Sequence, residues 1–114
     1  MAIKKLPSNR QRWVRVMADA GQTNGASLLL NSKNCKCCLG FDCSILQGVE
    51  DGRLKSREMP YSSELPSSLD NVQQRKAADI NDREPPYASL ADAEQEQAII
   101  DLFAEADVEV TFFN

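Results

Sequence analysis

The chain has 114 residues, 42% of them hydrophobic, enough for one core and too few for two ordinary domains, so a single domain over residues 1–114 is expected. Its apolar runs extend only a few residues, against the roughly 20 needed to cross a bilayer. No apolar secretory segment opens it, so a soluble, cytoplasmic protein is expected.

The formal net charge of -4 is unevenly divided. Residues 1–40 carry Lys4, Lys5, Arg10, Arg12, Arg15, Lys33 and Lys36 against Asp19 alone, and from Glu84 onward there are acids and no base. The two halves are expected to satisfy each other inside one fold, with two oppositely charged surfaces as the other arrangement.

In chain order, Trp13, Val16, Met17 and Ala20 fall at i, i+3, i+4 and i+7 and predict a helix capped by Ser8 or Asn9 and ended by Gly21. Arg12, Arg15 and Asp19 fall on its opposite side. Residues 26–30, the turn formers at 31–34 and residues 35–37 read as a short hairpin. From Cys38 the period changes, and Leu39, Cys43 and Leu46 predict a short buried helix ending at Gly48. Residues 49–68, with Gly52, Pro60, Pro66 and several serines, have loop composition that Met59, Tyr61 and Leu65 could pin to the core.

Ser68 is the expected cap of a polar helix with Leu69, Val72, Ala77 and Ile80 inward, stopped by Asn81, Asp82 and Pro85-Pro86. Ser89 and Asp92 have capping-box-like spacing before a helix with Ile99, Leu102, Phe103 and Ala106 on one face and Glu94, Asp101 and Glu105 on the other. Val108, Val110 and Phe112 alternate with Glu109, Thr111 and Phe113 as a closing strand. The expected fold class is α+β: three to four helices packed on a small sheet built from the hairpin and the C-terminal strand.

All four cysteines lie in CKCCLGFDC, at Cys35, Cys37, Cys38 and Cys43. Adjacent thiols disfavour disulfides on geometric grounds. A zinc site normally draws pairs of ligands from separate turns, and the chain has no histidine, so a metal held by these four is the lesser reading. A nucleophilic thiol needs a lowered pKa and a nearby base; a helix N-terminus at Cys38 could supply only the first. Cys38 and Cys43 are therefore read as small buried fillers, with Gly40 allowing a close helix approach, and no cofactor is expected.

Trp13 among Lys4, Lys5, Arg10, Arg12 and Arg15 resembles a nucleic-acid platform, but the predicted helix puts the indole and the arginines on opposite sides, which disfavours nucleic acid. Neither a glycine-rich phosphate loop nor a nucleophile elbow is present, so no enzyme is expected. The acidic stripe of Glu94, Asp101 and Glu105 is a candidate contact surface. The terminal strand, with Val110 and Phe112, could add to another sheet or pair with its twin in a homodimer. Arg10, Arg12, Asn81 and Asp82 are nominees for a pocket taking a small signalling nucleotide.

The segment Cys37-Cys38-Leu39-Gly40-Phe41-Asp42-Cys43 resembles the CCLG-x-x-C segment of a family of small bacteriophage and prophage proteins. The likeness extends through Trp13, Leu65-Pro66, Ile80-Asn81-Asp82 and the closing helix. Here Cys35 is additional, and Phe41-Asp42 stands where aliphatic residues are usual. No activity comes with the resemblance. It implies a phage-type accessory protein in the host cytoplasm, acting as a non-catalytic binder or inhibitor of a host protein, antiviral defence included. The alternatives are the nucleotide sponge and a small metal-stabilised cysteine module.

Overall fold

The computed structural model describes residues 3–15, 29–31, 34–55, 57, 60 and 64–114. Its first and last elements pair. Strand β1 (Lys4–Asn9) runs parallel to β2 (Val108–Phe113), in a register from Lys4 opposite Val108 to Asn9 opposite Phe113. Leu6 and Ser8 of β1 and Val108 and Val110 of β2 turn into the core, while Lys5, Pro7, Glu109 and Thr111 stay in water, the period-two division of a half-buried sheet. The Lys4 N–H donates to the Asp107 carbonyl at 3.1 Å. In a parallel pair alternate residues direct their backbone groups to the partner strand, so Pro7 falls where its missing N–H costs no ladder bond.

Between the strands the described residues form four helices. Helix α1 (Cys38–Phe41) runs on into a wider π-helical turn over Asp42–Leu46, and Gly48, at φ +68°, turns the chain away. A single turn, α2 (Asp51–Leu54), follows, then α3 (Asn71–Asn81) and α4 (Asp92–Ala104). Asp70 caps α3 by accepting from the Gln73 N–H at 2.8 Å, while the Gln73 side chain accepts from the Asp70 N–H at 3.1 Å, a reciprocal capping box. The Ala91 N–H at the start of α4 donates to Glu94 at 2.8 Å. Leu6, Leu39, Leu54, Ile80, Ile99 and Phe103 are among the side chains forming one core between these elements.

The α+β class is as expected, but the sheet is assembled differently. β1 replaces the hairpin as the partner of the C-terminal strand. The Asn31 N–H donates to the Cys35 carbonyl at 2.9 Å across the expected turn, but Leu30 bridges to Lys55 and Lys36 to Trp13; residues 26–28 and 32–33 lie outside the described residues. Where the first helix was expected to begin, the chain makes a 3-10 turn at Arg10–Arg12 and Trp13 bridges in an extended conformation; residues 16–21 of that helix lie outside the described residues. Among the described residues of 49–68, α2 is the one helix and Leu65 is buried as expected; Met59 and Tyr61 lie outside the described residues.

Helix α3 starts after Asp70 and not Ser68, and its inward residues are Gln74, Ala77, Ala78, Ile80 and Asn81. Val72 is consequently 80% exposed, a correction to its predicted inward place. Ile99, Leu102 and Phe103 of α4 are buried and Ala106 half-buried, matching the predicted face.

Candidate functional site

The conspicuous motif residues meet inside the protein, around Asn81 at the end of α3. Its Oδ1 accepts from the Trp13 indole Nε1–H at 2.7 Å and from the Cys38 N–H at 3.0 Å. Its Nδ2 donates to the Val14 carbonyl at 2.7 Å and to Asp82 at 3.2 Å. One amide, 1% exposed, thus joins the segment after β1, the start of α1 and the end of α3. Beside it Gln95 of α4, fully buried, donates to the carbonyls of Arg15 at 2.7 Å and Asn81 at 2.8 Å. Each polar group closes off carbonyls and N–H groups that would otherwise be buried unpaired.

The cysteines surround this knot. Cys37, Cys38 and Cys43 are buried and Cys35 is half-exposed, all four as free thiols. The Cys38 thiol faces the Ala77 carbonyl at 3.7 Å and the Cys43 thiol the Pro66 carbonyl at 3.4 Å. Burial, reinforced by the nearby Asp82 charge, pushes the Cys37 thiol up to about 12. Burial, with Asp42 beside it, does the same for Cys43, also to about 12. Burial drives Cys38 well above the ordinary thiol value. The helix N-terminus considered at Cys38 does not offset its desolvation, so the three buried sulfurs stay protonated near neutrality. Among the described residues, no three Cys, Asp or Glu side chains converge in a cluster able to hold a metal ion.

Gly40 supplies the close approach its position suggested. A Cβ there would lie 2.0 Å from the Leu29 carbonyl oxygen, well inside contact distance. Asp42, fully buried, accepts from Ser67 Oγ at 3.0 Å, from the Ser68 N–H at 2.8 Å and from Ser68 Oγ at 2.7 Å. It fastens the loop before α3 to the turn after α1.

The charges form a second knot. Glu96 of α4 takes a bidentate pair from Arg10, at 2.9 and 2.8 Å, and a short bond from Arg15. The Arg15 guanidinium lies 4.3 Å from the centre of the Trp13 ring, and Trp13 stacks on Phe112 with centroids 4.6 Å apart. Hydrogen bonds from Arg10 hold the Glu96 carboxyl below the usual range against the opposing effect of burial, with Arg15 adding to them. Arg83 hydrogen-bonds Asp92 and, together with the more distant charge of Arg15, lowers that carboxyl too. For these residues the basic front and acidic back do neutralise each other. The extended backbone at Trp13 explains why Arg15 lies over the indole and not opposite it: residues i and i+2 share a face in extended chain.

Several nominated residues are therefore internal. Asn81 and Asp82 are buried, Arg10 is held by Glu96, and Arg12 stands exposed, so the four do not line one open pocket. The side chain of Val110 is 3% exposed and belongs to the core, so what it offers to strand addition is its backbone alone. Phe112 is half-buried under Trp13. Glu94, Asp101 and Glu105 do line the exposed side of α4, continued by Asp107 and Glu109. The backbone groups of Val108, Val110 and Phe112 face the edge of β2 away from β1, and no backbone–backbone bond reaches that edge among the described residues.

Sequence reading missed Asp42, Gln95 and Glu96. Gln95 was detectable, because it stands i−4 from Ile99 on the apolar face of α4, where an amide needs buried partners.

Fold and site together define a small α+β domain with a hydrogen-bonded polar knot inside and an acidic exterior helix face. Comparison of the chain with protein-family models, curated proteins and solved structures returned no match. No described helix is long and apolar enough to cross a membrane.

Proposed function

We propose that the protein is a phage-type accessory protein that works stoichiometrically in the host cytoplasm, occluding a host protein through the acidic side of α4 and the adjoining edge of β2. The observation that carries this reading is the sorting of charge. Arg10, Arg15 and Arg83 are spent on Glu96 and Asp92, while Glu94, Asp101 and Glu105 remain in water on one helix face. An acid row that pairs with no cation among the described residues suits a basic partner surface and speeds encounter with it. The edge of β2, which takes no backbone bond among the described residues, offers main-chain groups for strand addition. The high thiol pKa values support a non-catalytic role for the buried cysteines.

The test is affinity capture from host lysate with quantitative mass identification, using the intact chain and the triple variant Glu94→Lys, Asp101→Lys, Glu105→Lys. One protein recovered near equimolar amount by the wild type and lost by the variant supports the reading. Equal recovery by both, or no protein near equimolar amount, refutes it.

A further inference from the structure

A groove of the opposite charge lies between the outward side of α3 and the loop that follows the helix. Val72, Arg75 and Lys76 form one wall and Pro86 and Tyr87 the other, around about 550 Å³ of space open to solvent. Val72, at 80% exposure, is an apolar side chain set among charged ones on the outside of a helix, a placement that core packing does not demand. Arg75 meets Asp79 only at 3.9 Å with both groups wet, a contact too loose to occupy the guanidinium. Lys76 has no carboxylate within ion-pair distance among the described residues.

We infer that this groove docks a short acidic segment of a partner protein. One bulky apolar side chain sits on Val72, Pro86 and Tyr87, and flanking carboxylates meet Arg75 and Lys76. The shape favours a peptide over a small molecule, because pockets for the latter enclose most of their ligand's surface and this one is an open trough. The overall charge of -4 means that attraction of an acidic partner must come from a local feature, and two exposed cations set against the single carboxylate of Asp79 provide it. The groove is a different surface from the α4 face and stands or falls separately from it.

A random peptide library selected against the intact chain tests this, with Arg75→Glu/Lys76→Glu and Val72→Ser variants in parallel. All three positions are exposed, so an unchanged melting temperature confirms that the variants fold. The expected winners carry Asp or Glu around one Leu, Phe or Trp. They should bind each variant about tenfold more weakly and lose affinity as salt rises. Charge reversal on α4 should leave their binding unchanged. No enrichment, basic winners, or equal binding to wild type and variants would overturn the inference. So would a nucleotide retained in native mass spectrometry and lost with Arg75→Glu/Lys76→Glu, or self-association that disappears in the same variant.

Discussion

Replacing Asn81 with alanine should remove a large part of the protein's stability, although the side chain carries no charge and reaches no surface. The substitution leaves the Trp13 Nε1–H, the Cys38 N–H and the Val14 carbonyl without the partner they now have. A buried polar group stripped of its partner costs ~1–3 kcal/mol, giving an upper range of ~3–9 kcal/mol for three. Water entering the space returns part of that, so a loss of about 4 kcal/mol is expected, against a total of ~5–15 kcal/mol for an ordinary domain. Urea unfolding followed by fluorescence measures it directly, since Trp13 is the only tryptophan and donates to the deleted group. A double-mutant cycle with Trp13→Phe, followed by circular dichroism, isolates the indole bond from the ring's packing on Phe112 and should give a coupling of about 1–2 kcal/mol. A loss under about 1 kcal/mol for Asn81→Ala, or strict additivity in the cycle, would refute the hub.

Gly40→Ala should destabilise strongly, because the new methyl meets the Leu29 carbonyl, whereas Gly52→Ala, with open space around it, should be neutral or stabilising by up to ~1 kcal/mol; thermal melts separate them. With a disulfide thiol reagent, the native protein should react at Cys35 alone and release the signal of Cys37, Cys38 and Cys43 only on unfolding; fast labelling of all four would contradict their burial. The lowered Glu96 pKa means its contribution is present above the ordinary carboxylate value and lost as pH falls through the folded one; Glu96→Gln should flatten that acid limb of a stability–pH curve. Conversely, the raised thiol values place an alkaline loss of stability between pH 9.0, where unfolded thiols ionise, and about 12; Cys43→Ala should reduce it.

Elements whose local chemistry agrees with the fold were legible in the residues. The period of Ile99, Leu102 and Phe103 and the alternation from Val108 to Phe113 both reappear in the structure. β1 was not legible, because Lys-Lys-Leu-Pro-Ser-Asn has no β-branched residue and a proline; its strand character comes from pairing with a segment about 100 residues away, which local propensity does not encode. Trp13 reads as the start of a helical face, yet its indole is committed to Asn81 and the backbone on either side of it, at Arg12 and Val14, to Lys36. The packing role of CKCCLGFDC was legible from Gly40 and the absence of histidine. The part played by Asp42 was not, since its partners Ser67 and Ser68 lie about 25 residues downstream. Glu94, Asp101 and Glu105 were legible as one exposed face, whereas Val72 was read inward for its apolarity although it stands two positions from Gln74, on the other side of α3 from the buried residues.

The central claim is that the conspicuous cysteines and asparagine build the interior while the exposed acids meet a partner. Quantitative capture from host lysate, run side by side with the wild type, the Glu94→Lys/Asp101→Lys/Glu105→Lys variant and Cys35→Ser, tests it most directly. The account predicts one near-equimolar partner for the wild type and Cys35→Ser, and none for the charge-reversed variant. A partner held equally by the charge-reversed variant, or lost with the cysteine alone, would contradict it.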